Sequence, residues 1–105
     1  MTTEQRRSPR YPFFASVEIT DLKTGVRLVA RTSELSQHGC YFDMMNPLQD
    51  GTIVKVRITN EKQTFEAGGR VVYFQSNKGM GVTFDEVGPD HQLTLDKWLS
   101  KLGNS

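Results

Sequence analysis

The chain of 105 residues is 36% hydrophobic and 24% charged, a composition typical of one small globular domain that leaves too little chain for a second core. Thirteen lysines and arginines nearly balance twelve aspartates and glutamates, so the formal net charge of +1 does not indicate a nucleic-acid-binding protein. The single cysteine, Cys40, excludes an internal disulfide and a four-cysteine zinc site, which favours a reducing compartment.

The first part of the chain is polar. Residues 1–11 contain almost no apolar side chain before Tyr11, and we predict that they form a flexible N-terminal arm. The segment is too polar for a signal peptide, and no stretch of the sequence reaches the roughly 18 apolar residues of a membrane span. We therefore expect a soluble, cytoplasmic protein without membrane insertion, whose folded domain covers residues 12–105.

Six segments after the arm are predicted to be β-strands because apolar and polar residues alternate along them. The clearest segment alternates Val54, Val56 and Ile58 with Lys55 and Arg57. The predicted strands cover residues 13–20, 26–35, 40–42, 53–59, 64–75 and 79–84. The connections are too short for parallel crossovers, so the strands are predicted to form an antiparallel sheet.

The sheet is predicted to curl. Gly68 and Gly69 lie inside the fifth strand, where a glycine pair favours a bulge or a sharp bend. Bends of this kind help a sheet to close into a barrel, which removes the exposed edges that six strands would otherwise leave.

One amphipathic helix is predicted after the last strand. Pro89 suits the first turn of this helix and Gly103 suits its end. Its apolar residues follow the helical spacing i, i+3, i+4 and i+7, at Leu95, Trp98, Leu99 and Leu102. The predicted fold is thus an all-β, six-stranded antiparallel barrel with a C-terminal α-helix that covers an open end.

The sequence offers little for catalysis. His38 and Cys40 are separated by one residue with no second pair of ligands elsewhere, and we interpret them as an exposed turn residue and a small buried apolar residue. His91 has no partner suggested by spacing and is interpreted as solvated surface. We predict neither an enzyme nor a metal site.

Two polar clusters indicate ligand binding instead. In the arm, the guanidinium groups of Arg6 and Arg10 can donate paired hydrogen bonds to a phosphate or to the O6 and N7 atoms of guanine, although a solvated basic tail is the alternative. The second cluster, Glu34, Ser36 and Gly39, joins two predicted strands and is called the turn cluster below. A carboxylate can accept hydrogen bonds from N1 and N2 of guanine, while a hydroxyl and a glycine amide can meet phosphate.

These clusters resemble the sequence elements of PilZ domains. The segment from Arg6 to Arg10 resembles the RxxxR element, and the turn cluster has the spacing of the (D/N)xSxxG element. Residues 79–84, Gly-Met-Gly-Val-Thr-Phe, are similar to the last barrel strand of the family, GxGVxF. The resemblance runs from Arg6 to the C-terminal helix and therefore covers nearly the whole chain.

The resemblance implies a receptor for the bacterial second messenger cyclic di-GMP, with a role in motility or biofilm regulation and no other cofactor. Arg6 and Arg10 would contact guanine edges and phosphates, and the turn cluster would line the barrel surface. Ligand binding would fold the arm onto the barrel and present a new surface to an unidentified effector protein. Two positions depart from the family pattern: Gln5, where many members have the first of two tandem arginines, and Glu34, where Asp or Asn is usual.

Two other functions stay open. The first is a protein-interaction module of the same family that does not bind the nucleotide, which the retention of both arginines disfavours. The second is a single-stranded nucleic-acid binder that uses exposed aromatic residues such as Tyr11, Phe13 and Tyr41. The nearly neutral charge disfavours this second function, and we expect no nucleic-acid partner.

Overall fold

The computed structural model describes residues 9–103, which form a β-barrel followed by one helix. The predicted arm, residues 1–11, lies mostly outside the described residues, and so does Arg6. The elements in chain order are β1 (Tyr11–Pro12), β2 (Ser16–Asp21), β3 (Arg27–Leu35), β4 (Gly39–Asp43), β5 (Ile53–Asn60), β6 (Gln63–Gln75), β7 (Gly79–Glu86) and α1 (Pro89–Gly103).

Six of the strands close into a ring. Their order is β3, β2, β5, β6, β7 and β4, and β4 pairs again with β3. Every pairing is antiparallel. The short strand β1 also pairs with β3, at the end where β3 approaches β4. The predicted six-stranded antiparallel barrel is confirmed, and β1 is an addition that the sequence did not reveal.

Alternation along each strand separates the core from the solvent. In β5, Val54, Val56 and Ile58 are fully buried, whereas Lys55 and Arg57 are exposed. Because side chains of a strand point alternately to opposite faces, the apolar set fills the barrel and the charged set faces water. Burial of these apolar side chains is the main stabilising contribution to the fold.

The helix α1 contributes Leu95 and Trp98 to the same core. The ring of Trp98 lies 5.2 Å from the ring of Phe13 and 6.3 Å from that of Phe65. The predicted helix is confirmed, and it packs against β6 and β1. No helix within residues 9–103 is long and apolar enough to cross a membrane.

The pairing of β6 with β7 contains two irregularities. The register shifts between Gly68 and Gly69, which confirms an irregularity at the predicted position, but the extra residue is Asp85 of β7. A second shift, between Val71 and Tyr73, was not predicted. It leaves the consecutive residues Val72 and Tyr73 both about half exposed, at 45% and 47%. Both side chains are therefore available on the surface next to β7.

The interpretation of His91 as a solvated residue without a partner was wrong. Its Nδ1 atom accepts a hydrogen bond from the backbone N–H of Glu66 at 3.1 Å, and its ring meets Phe65 edge-on. These contacts attach the first turn of α1 to β6. A hydrogen bond from Arg57 to the carboxylate of Glu66, at 2.8 Å, lowers the pKa of Glu66 below its usual value.

Among the residues described, Thr32 is the one polar residue in the buried class. Its hydroxyl donates to the carbonyl of Phe13 at 2.7 Å and accepts from the N–H of Ala15 at 3.0 Å. The two hydrogen bonds satisfy the backbone where the chain passes from β1 to β2. Thr32 therefore fixes the path by which the N-terminal residues reach the barrel.

We predict that Thr32→Val lowers the free energy of unfolding by about 1–3 kcal/mol, because valine keeps the shape but leaves Phe13 and Ala15 without their buried partner. Urea denaturation measures the change. The exposed Thr59 of β5 provides the control, since Thr59→Val is expected to change stability by no more than about 0.5 kcal/mol. Equal stability of Thr32→Val and the parent chain would contradict the prediction.

Candidate ligand-binding site

The turn cluster lies on the surface of the barrel where β3 passes into β4. The backbone N–H of Ser36 donates to the carbonyl of Gly39 at 2.9 Å, and the Ser36 hydroxyl donates to the same oxygen at 3.2 Å. The hydroxyl also accepts a hydrogen bond from the N–H of His38 at 3.3 Å. These bonds close a tight turn and hold Ser36 and Gly39 in defined positions, while Glu34 is held in β3.

Arg10 lies beside this turn. Its Nη1 atom is 3.9 Å from Oε1 of Glu34, and the two side chains are 76% and 47% exposed. An ion pair this exposed contributes little to stability, so the guanidinium can exchange its partner at low cost. The structure thus brings together four of the five predicted site residues, and the fifth, Arg6, lies outside the described part of the chain.

A depression of about 410 Å³ opens at this surface, and the four predicted residues line it. Its volume falls in the range of small-molecule sites. The other walls come from β4, β6 and β7, and include Tyr41, Tyr73 and Thr83. With Glu34 and Leu35 from β3, the site is therefore built on four strands and the turn between β3 and β4.

The sheet register explains the shape of this depression. Tyr41 of β4 and Tyr73 of β6 both lie directly opposite Gly81 of β7. The two rings, with centroids 5.8 Å apart, therefore flank a position that has no side chain. A Cβ atom on Gly81 would lie 3.1 Å from a ring carbon of Tyr73, so the glycine lets that ring approach the backbone of β7.

A second row of opposed residues lies beside the first. Gly39 of β4 is opposite Thr83 of β7, and Thr83 is opposite Arg70 of β6. A Cβ atom on Gly39 would clash with the carbonyl oxygen of Val82. The side chains along this row are therefore small between the turn and Arg70.

The protonation states of two groups at the site follow from their surroundings. Burial raises the pKa of Tyr41, and a hydrogen bond with Tyr73 and the nearby carboxylate of Asp43 raise it further. The Tyr41 hydroxyl is therefore protonated at neutral pH and can donate a hydrogen bond. Cys40 is buried, as the sequence analysis predicted, and this burial raises the pKa of its thiol.

His38 is exposed at the edge of the depression, as the sequence analysis predicted. Within residues 9–103, no three His, Cys, Asp or Glu side chains are grouped so that they could hold a metal ion. The lining of the depression provides a guanidinium group at Arg10, a carboxylate at Glu34 and hydroxyl groups at Ser36 and Tyr41, which can form hydrogen bonds to an organic ligand.

Sequence reasoning missed the β6 and β7 side of the site. Both Tyr73 and Thr83 are far from the turn cluster along the chain; Tyr73 belongs to no recognised motif, and Thr83 occupies the unspecified position of the GxGVxF element. The predicted pairing of the last strands places them near each other, but their position beside β4 depends on barrel closure and on the bulge before Tyr73.

The sequence matches the family model for the PilZ domain over residues 4–101. The match covers almost the whole chain, which therefore belongs to the PilZ domain family. The predicted resemblance to PilZ domains, which rested on three sequence elements, is thus confirmed.

Solved structures share the fold at low sequence identity. The PilZ domain of CeSA from a cellulose-synthesizing bacterium is 18% identical, with a TM-score of 0.72, 91% of this chain covered and 99% of that chain covered. The PilZ domain of YcgR from Escherichia coli, solved with c-di-GMP, is 16% identical, with a TM-score of 0.75 and coverages of 96% and 93%.

A third similar structure is the Bacillus subtilis inhibitor of motility, MotI/DgrA, which is 15% identical with a TM-score of 0.76. The alignment covers 93% of this chain and 51% of MotI/DgrA, so this chain spans about half of that protein. No curated protein matches the sequence. At these identities the similarity establishes the fold.

We predict that Gly39→Ala destabilises the barrel by about 1–3 kcal/mol, because the added methyl group would push β4 away from the carbonyl of Val82. Gly68→Ala is the matched control, since a Cβ atom there would make only ordinary contacts, the nearest at 3.7 Å. Thermal unfolding of both variants measures the difference. A Gly39→Ala variant as stable as Gly68→Ala would show that the turn tolerates a side chain.

Proposed function

We propose that this protein binds cyclic di-GMP in the depression beside the turn cluster. The observation that carries the proposal is the position of Arg10 next to Glu34, at the edge of a surface pocket lined by Ser36 and Gly39. A structurally similar PilZ domain, that of YcgR, was solved with c-di-GMP, which supports the same ligand class here.

The chemistry of the pocket suits this ligand. Cyclic di-GMP has two phosphodiester groups and two guanines, and the guanidinium groups of Arg6 and Arg10 can donate to both kinds of acceptor. The carboxylate of Glu34 can accept hydrogen bonds from N1 and N2 of a guanine. The rings of Tyr41 and Tyr73 offer apolar faces against which a base can stack.

Ser36 and Gly39 also contribute to ligand binding in this proposal. The hydroxyl of Ser36 already holds the turn together, so it positions the site and retains a lone pair for the ligand. Gly39 leaves the backbone of the turn open to close approach. We assign no catalytic role to either residue.

We further propose that binding is coupled to the N-terminal arm. The arm joins the barrel at Tyr11, which pairs with Leu35 next to the turn cluster. A ligand held by Arg6 and Arg10 would draw residues 1–10 onto the adjoining surface, and that change would be read by an unidentified effector protein. Since the ligand is an intracellular messenger, we place this role in the cytoplasm, in motility or biofilm regulation.

Calorimetric titration with cyclic di-GMP tests the ligand. We expect a Kd in the micromolar range or tighter, which corresponds to about −8 kcal/mol or better. Arg6→Ala and Arg10→Ala should each weaken binding by about 1.5–3 kcal/mol, because each removes charge-assisted hydrogen bonds, while stability should barely change.

Arg7→Ala is the matched control for these variants, because Arg7 occupies a spacer position between Arg6 and Arg10. An Arg7→Ala variant that binds as weakly as Arg10→Ala would show that the register of the arginine element is wrong. No heat at hundreds of micromolar ligand would overturn the proposed function and favour an interaction module that does not bind the nucleotide.

Amide hydrogen exchange tests the coupling to the arm. We predict that saturating cyclic di-GMP increases protection around residues 6–10, since the ligand supplies contacts for that segment. The strand β5, which is paired on both edges with β2 and β6, serves as an internal control, because its protection should already be high and change little. Equal protection of residues 6–10 with and without ligand would refute the proposed movement of the arm.

A further inference from the structure

A third arginine, Arg70, is not part of the lining but lies next to it, on the side of the depression opposite to Arg10. Arg70 of β6 lies in the same row as Thr83 and Gly39, and these last two residues line the depression. Neighbouring strands lie about 4.8 Å apart, so the backbones of Arg70 and Gly39 are roughly 10 Å apart across the surface. The small side chain of Thr83 is the only one between them in this row.

In the described structure, the guanidinium of Arg70 is directed to Asp85. Its Nη2 atom lies 3.9 Å from Oδ1 of Asp85, and the two side chains are 52% and 41% exposed. Asp85 follows Thr83 by two residues on β7, on the side away from Gly81. A long and exposed ion pair of this kind contributes little to stability, so Arg70 can change partner at low cost.

We propose that Arg70 is a further ligand-binding residue, which leaves Asp85 and donates hydrogen bonds to a phosphate of the ligand. The inference rests on the proposed function, because it assumes that a cyclic dinucleotide occupies the depression. Such a ligand carries two phosphates on opposite sides of its ring. Arg10 approaches the depression from the side of β3, and Arg70 approaches it from the side of β6.

The geometry gives Asp85 a defined role in this proposal. It competes with the ligand for Arg70 and keeps the guanidinium beside the depression rather than over it. Because of this competition, the parent chain binds the ligand less tightly than a variant in which Arg70 has no carboxylate partner. If the pair were purely structural, it would stabilise the pairing of β6 with β7 and would not affect ligand binding.

Calorimetric titrations of four proteins with cyclic di-GMP separate these roles: the parent chain, Arg70→Gln, Asp85→Asn and the double variant. We expect Arg70→Gln to raise the Kd about tenfold or more, because glutamine cannot donate a charge-assisted bidentate pair. Asp85→Asn should lower the Kd severalfold in the parent background. The same substitution should bring no gain when Arg70 is already glutamine, because the competition has been removed.

Arg27→Gln is the matched control. Arg27 is also an exposed arginine in a loose ion pair, 3.5 Å from Glu18, but the residue opposite it in the sheet, Thr20, does not line the depression. The Kd of the Arg27→Gln variant for cyclic di-GMP should equal that of the parent chain. Thermal unfolding of every variant should show the same midpoint within a few degrees, since all of the substituted side chains are largely exposed.

Three outcomes would overturn the inference. If the parent chain binds but Arg70→Gln binds equally well, Arg70 forms only a surface ion pair, and the proposed function is unaffected. If Asp85→Asn tightens binding equally in both backgrounds, Asp85 repels the anionic ligand through space and does not hold Arg70 back. If the parent chain does not bind cyclic di-GMP, the proposed function fails and the role of Arg70 fails with it.

Discussion

The close approach of β4 and β7 is the constraint on which both the barrel and its candidate site depend. A Cβ atom at Gly39 would clash with the carbonyl of Val82, and one at Gly79 would clash with the carbonyl of Phe42. Because β4 pairs with β3 on its other edge, this contact completes the ring. It also presses the 36–39 turn against β7, which creates one wall of the depression. The same backbone contact therefore closes the fold and shapes the site.

The core and the site use opposite faces of the same strands. Along β4, Cys40 and Phe42 are buried, while Gly39 and Tyr41 lie on the outer face and line the depression, which Cys40 also borders. A slip of one residue in the pairing would exchange these sets, so the apolar core fixes the register of the surface. The charged groups around the site are held more loosely, at 3.9 Å in both arginine pairs near the depression. The protein thus combines a fixed backbone with side chains that can rearrange.

The sequence predicts the parts of this structure that depend on local pattern. Alternation identifies the six barrel strands, the Gly68-Gly69 pair identifies the position of a register shift, and helical spacing identifies α1. The two residues of β1 are too few to show any alternation, so this strand could not be recognised.

Contacts between distant segments were also beyond prediction. The bond from Glu66 to His91 joins residues 25 positions apart, and that from Thr32 to Phe13 joins residues 19 apart. For the site, the turn cluster and Arg10 were found from spacing, and the structure brings them together. Tyr73 and Thr83 were missed because only the paired strands place them there. The binding roles of all these residues, and of Arg6, stay predictions.

The position of the only tryptophan has a spectroscopic consequence. Trp98 is 4% exposed, packs on Phe13 and donates its indole N–H to Gln63 at 3.0 Å. It does not line the depression, and Phe13 follows β1 directly along the chain. Indole emission responds to the polarity around the ring, so the intrinsic fluorescence of this protein reports on the junction between α1 and the first strands. A change in this fluorescence would therefore indicate a disturbance of the helix rather than an event confined to the outer surface.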